Sequence, residues 1–163
     1  MSKNPQQQIS KRICAYCDKP RKLTKEHIWP ASIIRRVTNR ASYNPKAGKL
    51  LWTEMVISDV CEICNNGPLS KLDAYGADLY DKYFSHYYLD AKPLTFEYDY
   101  QQLAKWLLKL SFNAARLNQS DHVRLAKYRL SLLDDNCDLP EDFSIAVDLV
   151  LPEVIAPKSE PVL

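Results

Sequence analysis

Glycine is almost missing from this sequence: Gly48, Gly67 and Gly76 are the only three in 163 residues. A loop whose backbone amides cradle phosphates needs several glycines close together, so P-loop and dinucleotide-binding readings are excluded. Histidine is equally scarce, with His27, His86 and His122, so imidazole chemistry must pass through one of these. No apolar run approaches the roughly 18 residues of a membrane span, and Met1 to Ile13 lack the basic-then-apolar pattern of a signal peptide. A soluble cytoplasmic protein with no membrane partner is therefore expected. The length suits one domain with its own core, and at 46% hydrophobic and 26% charged the composition is that of a globular chain.

The net charge of +2 conceals a polar division of the chain. Residues 1–50 carry twelve Lys and Arg against only Asp18 and Glu26, a surplus of ten, and the remainder carries a net −8. A basic first third points to a polyanion, with Lys25, Arg35, Arg36 and Arg40 among the candidate phosphate contacts. The acidic remainder would repel nucleic acid, so it is expected at the back of the molecule or against a protein partner, a second copy included.

Turn-rich and basic residues up to about Trp52 read as short strands and loops, and Leu50 to Val60 as a strand entering a turn. From Pro68 the period becomes helical through Leu69, Leu72, Tyr75, Leu79, Tyr80, Tyr83, Phe84 and Tyr87, with Asn66 as cap and Pro68 in the first turn. Tyr75 to Tyr88 reads as a core face sooner than as a stacking platform for bases. A second helix is predicted after Asp99, which with Gln102 forms a capping-box pattern; its stripe is Leu103, Trp106, Leu107, Leu110, Ala114 and Leu117, with Lys109 snorkelling beside Trp106. A third helix is predicted from Ser120 through Leu132, and a strand over Phe143 to Leu151. The expected organisation is one domain over 1–163: a core at 12–88, a helical and strand cap at 94–151, and flexible ends at 1–8 and 153–163.

Cysteine carries the strongest signal. Cys14 and Cys17 form one CxxC turn and Cys61 and Cys64 another, with 43 residues between the turns. Each such turn lets two thiolates converge on one ion, so the pair predicts a four-cysteine structural zinc site that ties distant segments together. Paired disulfides would need an export signal, and a thioredoxin-like redox pair would need a βαβ context. Cys137, outside both turns, is expected to be a buried inert thiol.

With the four thiols committed to zinc, catalysis would need other groups. His27 lies ten residues after Cys17, preceded by Glu26, and Asn65 and Asn66 directly follow Cys64. Zinc would make His27 and Asn65 neighbours. Glu26 and His27, adjacent on a strand, would need a strand end or a bulge to serve one site.

The segments Cys14-Ala15-Tyr16-Cys17, Glu26-His27-Ile28-Trp29-Pro30 and Cys61-Glu62-Ile63-Cys64-Asn65-Asn66-Gly67 resemble a zinc-containing HNH endonuclease, over about residues 12 to 75. The resemblance implies an α+β fold: a zinc-stapled ββα-metal core, here followed by a helical cap and a late strand. It implies hydrolysis of a nucleic-acid phosphodiester, with DNA as the expected substrate, and a divalent ion, usually Mg2+, at the scissile phosphate. His27 would then be the general base, Glu26 a ligand of the catalytic ion, and Asn65 its amide ligand at the helix start, with Asn66 as the alternative. Where the family commonly has a second asparagine or histidine orienting the base, this chain has Val56, with Asp59 the nearest polar residue. The family often also carries a basic residue on the helix after the amide ligand, and the equivalent place here is Pro68, with Lys71 one turn later. A neutral imidazole, whose ordinary pKa is about 6.5, can take a proton from water at neutral pH, and a hard oxygen-liganded ion can stabilise charge building on the phosphate. The competing reading is a zinc-knuckle nucleic-acid-binding protein without catalysis, gripping phosphates through Arg35, Arg36 and Arg40.

Overall fold

The first cysteine turn and a strand nearly fifty residues later meet through the backbone: the Ala15 amide donates to the Asp59 carbonyl at 2.9 Å. The structure, a computed structural model, describes residues 12–36, 42–44, 48–51, 54–85 and 94–146. It is a mixed α/β arrangement. The central pair of strands is β1 (Leu23–His27) and, after helical turn α1 (Ala31–Ile34) and a short hairpin of β2 (Ser42–Asn44) with β3 (Lys49–Leu51), β4 (Val56–Cys61). The two are antiparallel, pairing Leu23 with Cys61, Thr24 with Val60, Glu26 with Ile57 and His27 with Val56, and the register slips between Thr24 and Glu26. Such a slip is a β-bulge, which turns the strand end relative to its partner.

From β4 the chain runs directly into α2 (Glu62–Cys64), then a wide turn over Asn65–Leu69, then α3 (Ser70–Leu79). Gly67 leaves helical geometry in that turn, with φ −99° and ψ −109°, and Pro68 follows it. No side chain caps α3; the Ser70 hydroxyl instead donates to the Asn66 and Gly67 carbonyls, so the predicted cap at Asn66 is replaced by a kink. A further wide turn, Tyr80–Phe84, extends α3, while Tyr87 lies outside the described residues.

Helix α4 (Tyr100–Asn118) starts where the capping pattern put it: the Asp99 carboxylate accepts from the Gln102 amide at 2.9 Å. Its buried face is turned from the expected stripe, with Leu103, Ala104, Leu108, Phe112 and Ala115 inside together with Lys105, Lys109 and Asn113. Past it the predicted third helix is only α5 (His122–Leu125) followed by a 3-10 turn over Ala126–Tyr128. Residues 143–146 form no strand; the rest of that predicted strand lies outside the described residues.

One apolar core joins Cys14, Tyr16, Ile28, Ile57, Val60 and both later cysteines to Leu69, Leu72, Leu108 and Phe112. The Tyr16 and Phe112 rings meet edge to face at 5.3 Å. Gly76 lies where α3 and α4 cross closely, because a Cβ there would overlap the Trp106 indole. Gly76→Ala is accordingly expected to lower stability by about 1 to 3 kcal/mol despite alanine's better helix propensity, since the indole must shift. A urea-denaturation midpoint comparison measures this. No helix among the described residues is long and apolar enough to cross a membrane.

Candidate metal centre and the histidine beside it

The cysteine turns are built to converge. In the first, the Cys14 amide donates to the Lys19 carbonyl and the Asp18 amide to the Cys14 carbonyl, with Asp18 at φ 55°, a left-handed conformation that Asp tolerates better than most residues. In the second, β4 delivers Cys61 and the turn of α2 brings Cys64 alongside. All four sulfurs lie within 4.8 Å of one another, and Cys17 Sγ is 3.8 Å from Cys61 Sγ. A tetrahedral ion with bonds of about 2.3 Å to sulfur requires sulfurs about 3.8 Å apart. All five cysteines of the chain are free, so disulfides do not explain the convergence. The four thiols form a group that can hold a metal ion such as zinc.

The electrostatics suit a cation. Burial works against ionising Cys61, but the Cys64 amide and the neighbouring thiols of Cys64, Cys14 and Cys17 together outweigh it and pull its pKa down to about 7. Burial pushes the thiols of Cys17 and Cys64 up. A divalent ion would hold several of these sulfurs as thiolates. The Cys61 amide also donates to Cys14 Sγ at 3.3 Å, the kind of N–H contact that stabilises a liganding sulfur.

His27 ends β1 with its ring half-buried, and Nε2 is 2.7 Å from the Glu54 carboxylate, itself largely exposed. Sequence reading missed Glu54. It precedes β4, two residues before Val56, and the strand register that pairs Val56 with His27 brings it within reach. Asp59, the polar candidate named in its place, instead accepts from Arg116 Nε at 2.9 Å. Asn65 reaches β1 from the helix side: its Nδ2 donates to Thr24 Oγ1 at 3.0 Å and to the Lys25 carbonyl at 2.9 Å. Both amide hydrogens are spent on that strand, so the carboxamide offers only its oxygen to anything else. Asn66 is exposed and its carbonyl serves Ser70.

Glu26 goes the other way. Its side chain is buried, with Oε1 2.6 Å from Lys109 Nζ and accepting from Asn113 Nδ2 at 3.3 Å. The same ammonium lies 2.6 Å from each oxygen of Asp73. Lys109 is therefore fully buried between two carboxylates, where the sequence suggested a snorkelling side chain. Burial holds the Asp73 carboxyl above the usual range, with Lys109 pulling against it. Glu26 thus directs its carboxylate at an internal ammonium, and among the described residues no side-chain hydrogen bond joins it to His27 or Asn65. Removing that ammonium by Lys109→Met should cost about 3 to 5 kcal/mol, the usual result of leaving buried carboxylates uncompensated, and thermal melts would register it.

Of the phosphate-contact candidates, Lys25 and Arg35 are exposed, Arg36 pairs with Asp81 at 2.7 Å, Lys71 pairs with Asp135, and Arg40 lies outside the described residues. Arg12, Lys19, Arg21, Lys22, Lys25 and Arg35 form no ion pair with a described residue, whereas Arg116, Lys127 and Arg129 in the second half each have a carboxylate partner. Among the described residues, cations without a carboxylate partner thus gather around the first cysteine turn and β1. Cys137 is exposed, contrary to expectation, because the turns after Tyr128 carry it outside the core. His122 Nδ1 contacts the Ser120 carbonyl, and His86 lies outside the described residues.

No family model matches the chain, and neither a curated protein nor a solved structure matches it.

Proposed function

We propose that this chain is a nucleic-acid phosphodiester hydrolase of the HNH type, with His27 as its general base and DNA as the expected substrate. The observation that carries the reading is the half-buried His27 ring held by the Glu54 carboxylate at 2.7 Å, on a strand beside Lys22, Lys25 and Arg35, which have no ion-pair partner among the described residues. A carboxylate on one imidazole nitrogen fixes the ring and stabilises the imidazolium that forms when the other nitrogen takes a proton. With Nε2 given to Glu54, Nδ1 is the nitrogen for water. In the proposed step Nδ1 accepts a proton from water, the resulting hydroxide oxygen bonds to phosphorus, and the bond from phosphorus to the 3′ oxygen breaks, with solvent returning a proton to the leaving oxygen. Exposed Lys25 and Arg35 support the reading as phosphate contacts. The ββα order, β1 and β4 followed by α3 with Asn65 tied back to β1, supports it as well.

The second reading is a zinc-knuckle protein that binds nucleic acid without cutting it. One observation favours it: Glu26, the residue that the resemblance makes a metal ligand, spends its charge on Lys109. Supercoiled plasmid incubated with the protein and Mg2+ or Mn2+, with and without EDTA, separates the two. Nicked circles that require His27 support hydrolysis; retarded but intact plasmid supports binding alone. Either way, six phosphate contacts would give a logarithmic salt slope of about −5 for binding, and a flat salt dependence would remove nucleic acid as the partner.

A further inference from the structure

Lys109, Asn113 and Arg116 follow one another at spacings of four and three residues, so α4 presents them on one face. That face is buried, and each side chain on it is anchored to other elements of the core. Lys109 holds Glu26 and Asp73, each at 2.6 Å. Asn113 Oδ1 accepts from the Tyr16 hydroxyl at 2.6 Å and from Arg116 Nη2 at 2.9 Å, and its Nδ2 donates to Glu26 Oε1 at 3.3 Å and to the His27 carbonyl at 3.4 Å. Arg116 holds Asp59 of β4 and lies over the Phe112 ring at 4.1 Å. A polar stripe in a helix interior is costly unless its groups are satisfied; here every polar atom but Arg116 Nη1 has a partner, and three such groups at helical spacing fix one orientation of α4 against the strands.

Two of the three contacts converge on the end of β1. The bulge has already broken the strand register before Glu26, so the ladder to β4 alone fixes this end less firmly. We propose that Lys109 and Asn113 are positioning residues for His27, acting through Glu26 and the His27 carbonyl, and that the cation Glu26 serves is the Lys109 ammonium and not a metal ion. The catalytic part of this role rests on His27 being the general base; the positioning itself does not.

The test uses zinc-loaded, full-length protein with histidine ring nitrogens labelled. Asn113→Ala is expected to move or broaden the His27 ring signals, while Leu132→Ala, a core truncation with no polar link to β1, leaves them in place. His27 signals unchanged in folded Asn113→Ala would overturn the proposal. Should that variant not fold, Glu26→Gln combined with Lys109→Gln replaces the ion pair by two neutral amides and gives the same readout. In parallel, Mn2+ is titrated into wild type and Glu26→Gln: an equal response, or none in either, agrees with the proposal, and a loss of more than about tenfold in affinity makes Glu26 a metal ligand and overturns it. If plasmid is cleaved, the Asn113 variant should lose up to about 100-fold in kcat with KM little changed. If wild type cleaves nothing, the proposed hydrolase reading falls while the ring signals still decide the positioning.

Discussion

Replacing Cys61 by Ser, or stripping the metal with a strong chelator, should unfold the region that holds β1 and β4 together and not merely loosen one loop. The two cysteine turns are far apart in sequence, and Cys14, Cys61 and Cys64 are themselves part of the main core, beside Tyr16, Leu108 and Phe112. A structural zinc ion in a small domain contributes an apparent 10 to 16 kcal/mol or about that, comparable with the whole stability of an ordinary domain at about 5 to 15 kcal/mol. Hydrogen exchange should therefore show loss of protection in residues 12–28 and 54–72 on chelation. Helix α4 should lose protection too, because Lys109, Asn113 and Arg116 have their partners on that same unit. Protection that survives chelation unchanged would mean that the thiols are packing groups and nothing more.

His27→Ala should abolish plasmid cleavage, by at least the roughly 10²- to 10⁴-fold that a general base contributes, while leaving zinc content and the melting temperature close to wild type. The small structural effect follows from the position: the ring is half-buried and its only described side-chain partner, Glu54, is largely exposed, so the pair adds little to stability. Glu54→Gln should lower activity less, since a neutral amide can still hold the ring but no longer stabilises the imidazolium. Full cleavage by the alanine variant would exclude His27 as the base. Joint loss of cleavage and folding would show that the histidine is structural.

The thiol quartet was legible in the sequence because CxxC spacing is a local constraint that only a few geometries satisfy, and the structure brings those four sulfurs together. The start of α4 was legible for a similar reason: Asp99 and Gln102 speak to each other across one turn. Lys109 was not. Its burial depends on Glu26, 83 positions earlier, and Asp73, 36 positions earlier, and nothing in a helical period announces that two carboxylates wait inside the core. The same blindness rotated the expected stripe of α4, because Lys109 read as a snorkelling side chain while Asn113 carries no apolar signal at all. Glu54 was hidden by the strand register: Val56 stands opposite His27, and the acid that reaches the ring comes from the loop two residues earlier. The short runs after Asn118 misled in the opposite direction: Gln119 ends α4 in a left-handed conformation, and the period read from Ser120 through Leu132 yields only α5 and a 3-10 turn.

The central claim is that one ion, held by four thiolates from two distant turns, assembles the strand pair on which His27 stands. X-ray absorption at the zinc edge, on protein purified without added metal and quantified for zinc by mass spectrometry, tests it most directly. One zinc per chain with four sulfur neighbours at about 2.3 Å is the predicted result. A fully folded protein with no bound metal, or zinc with nitrogen and oxygen neighbours in place of sulfur, would contradict it.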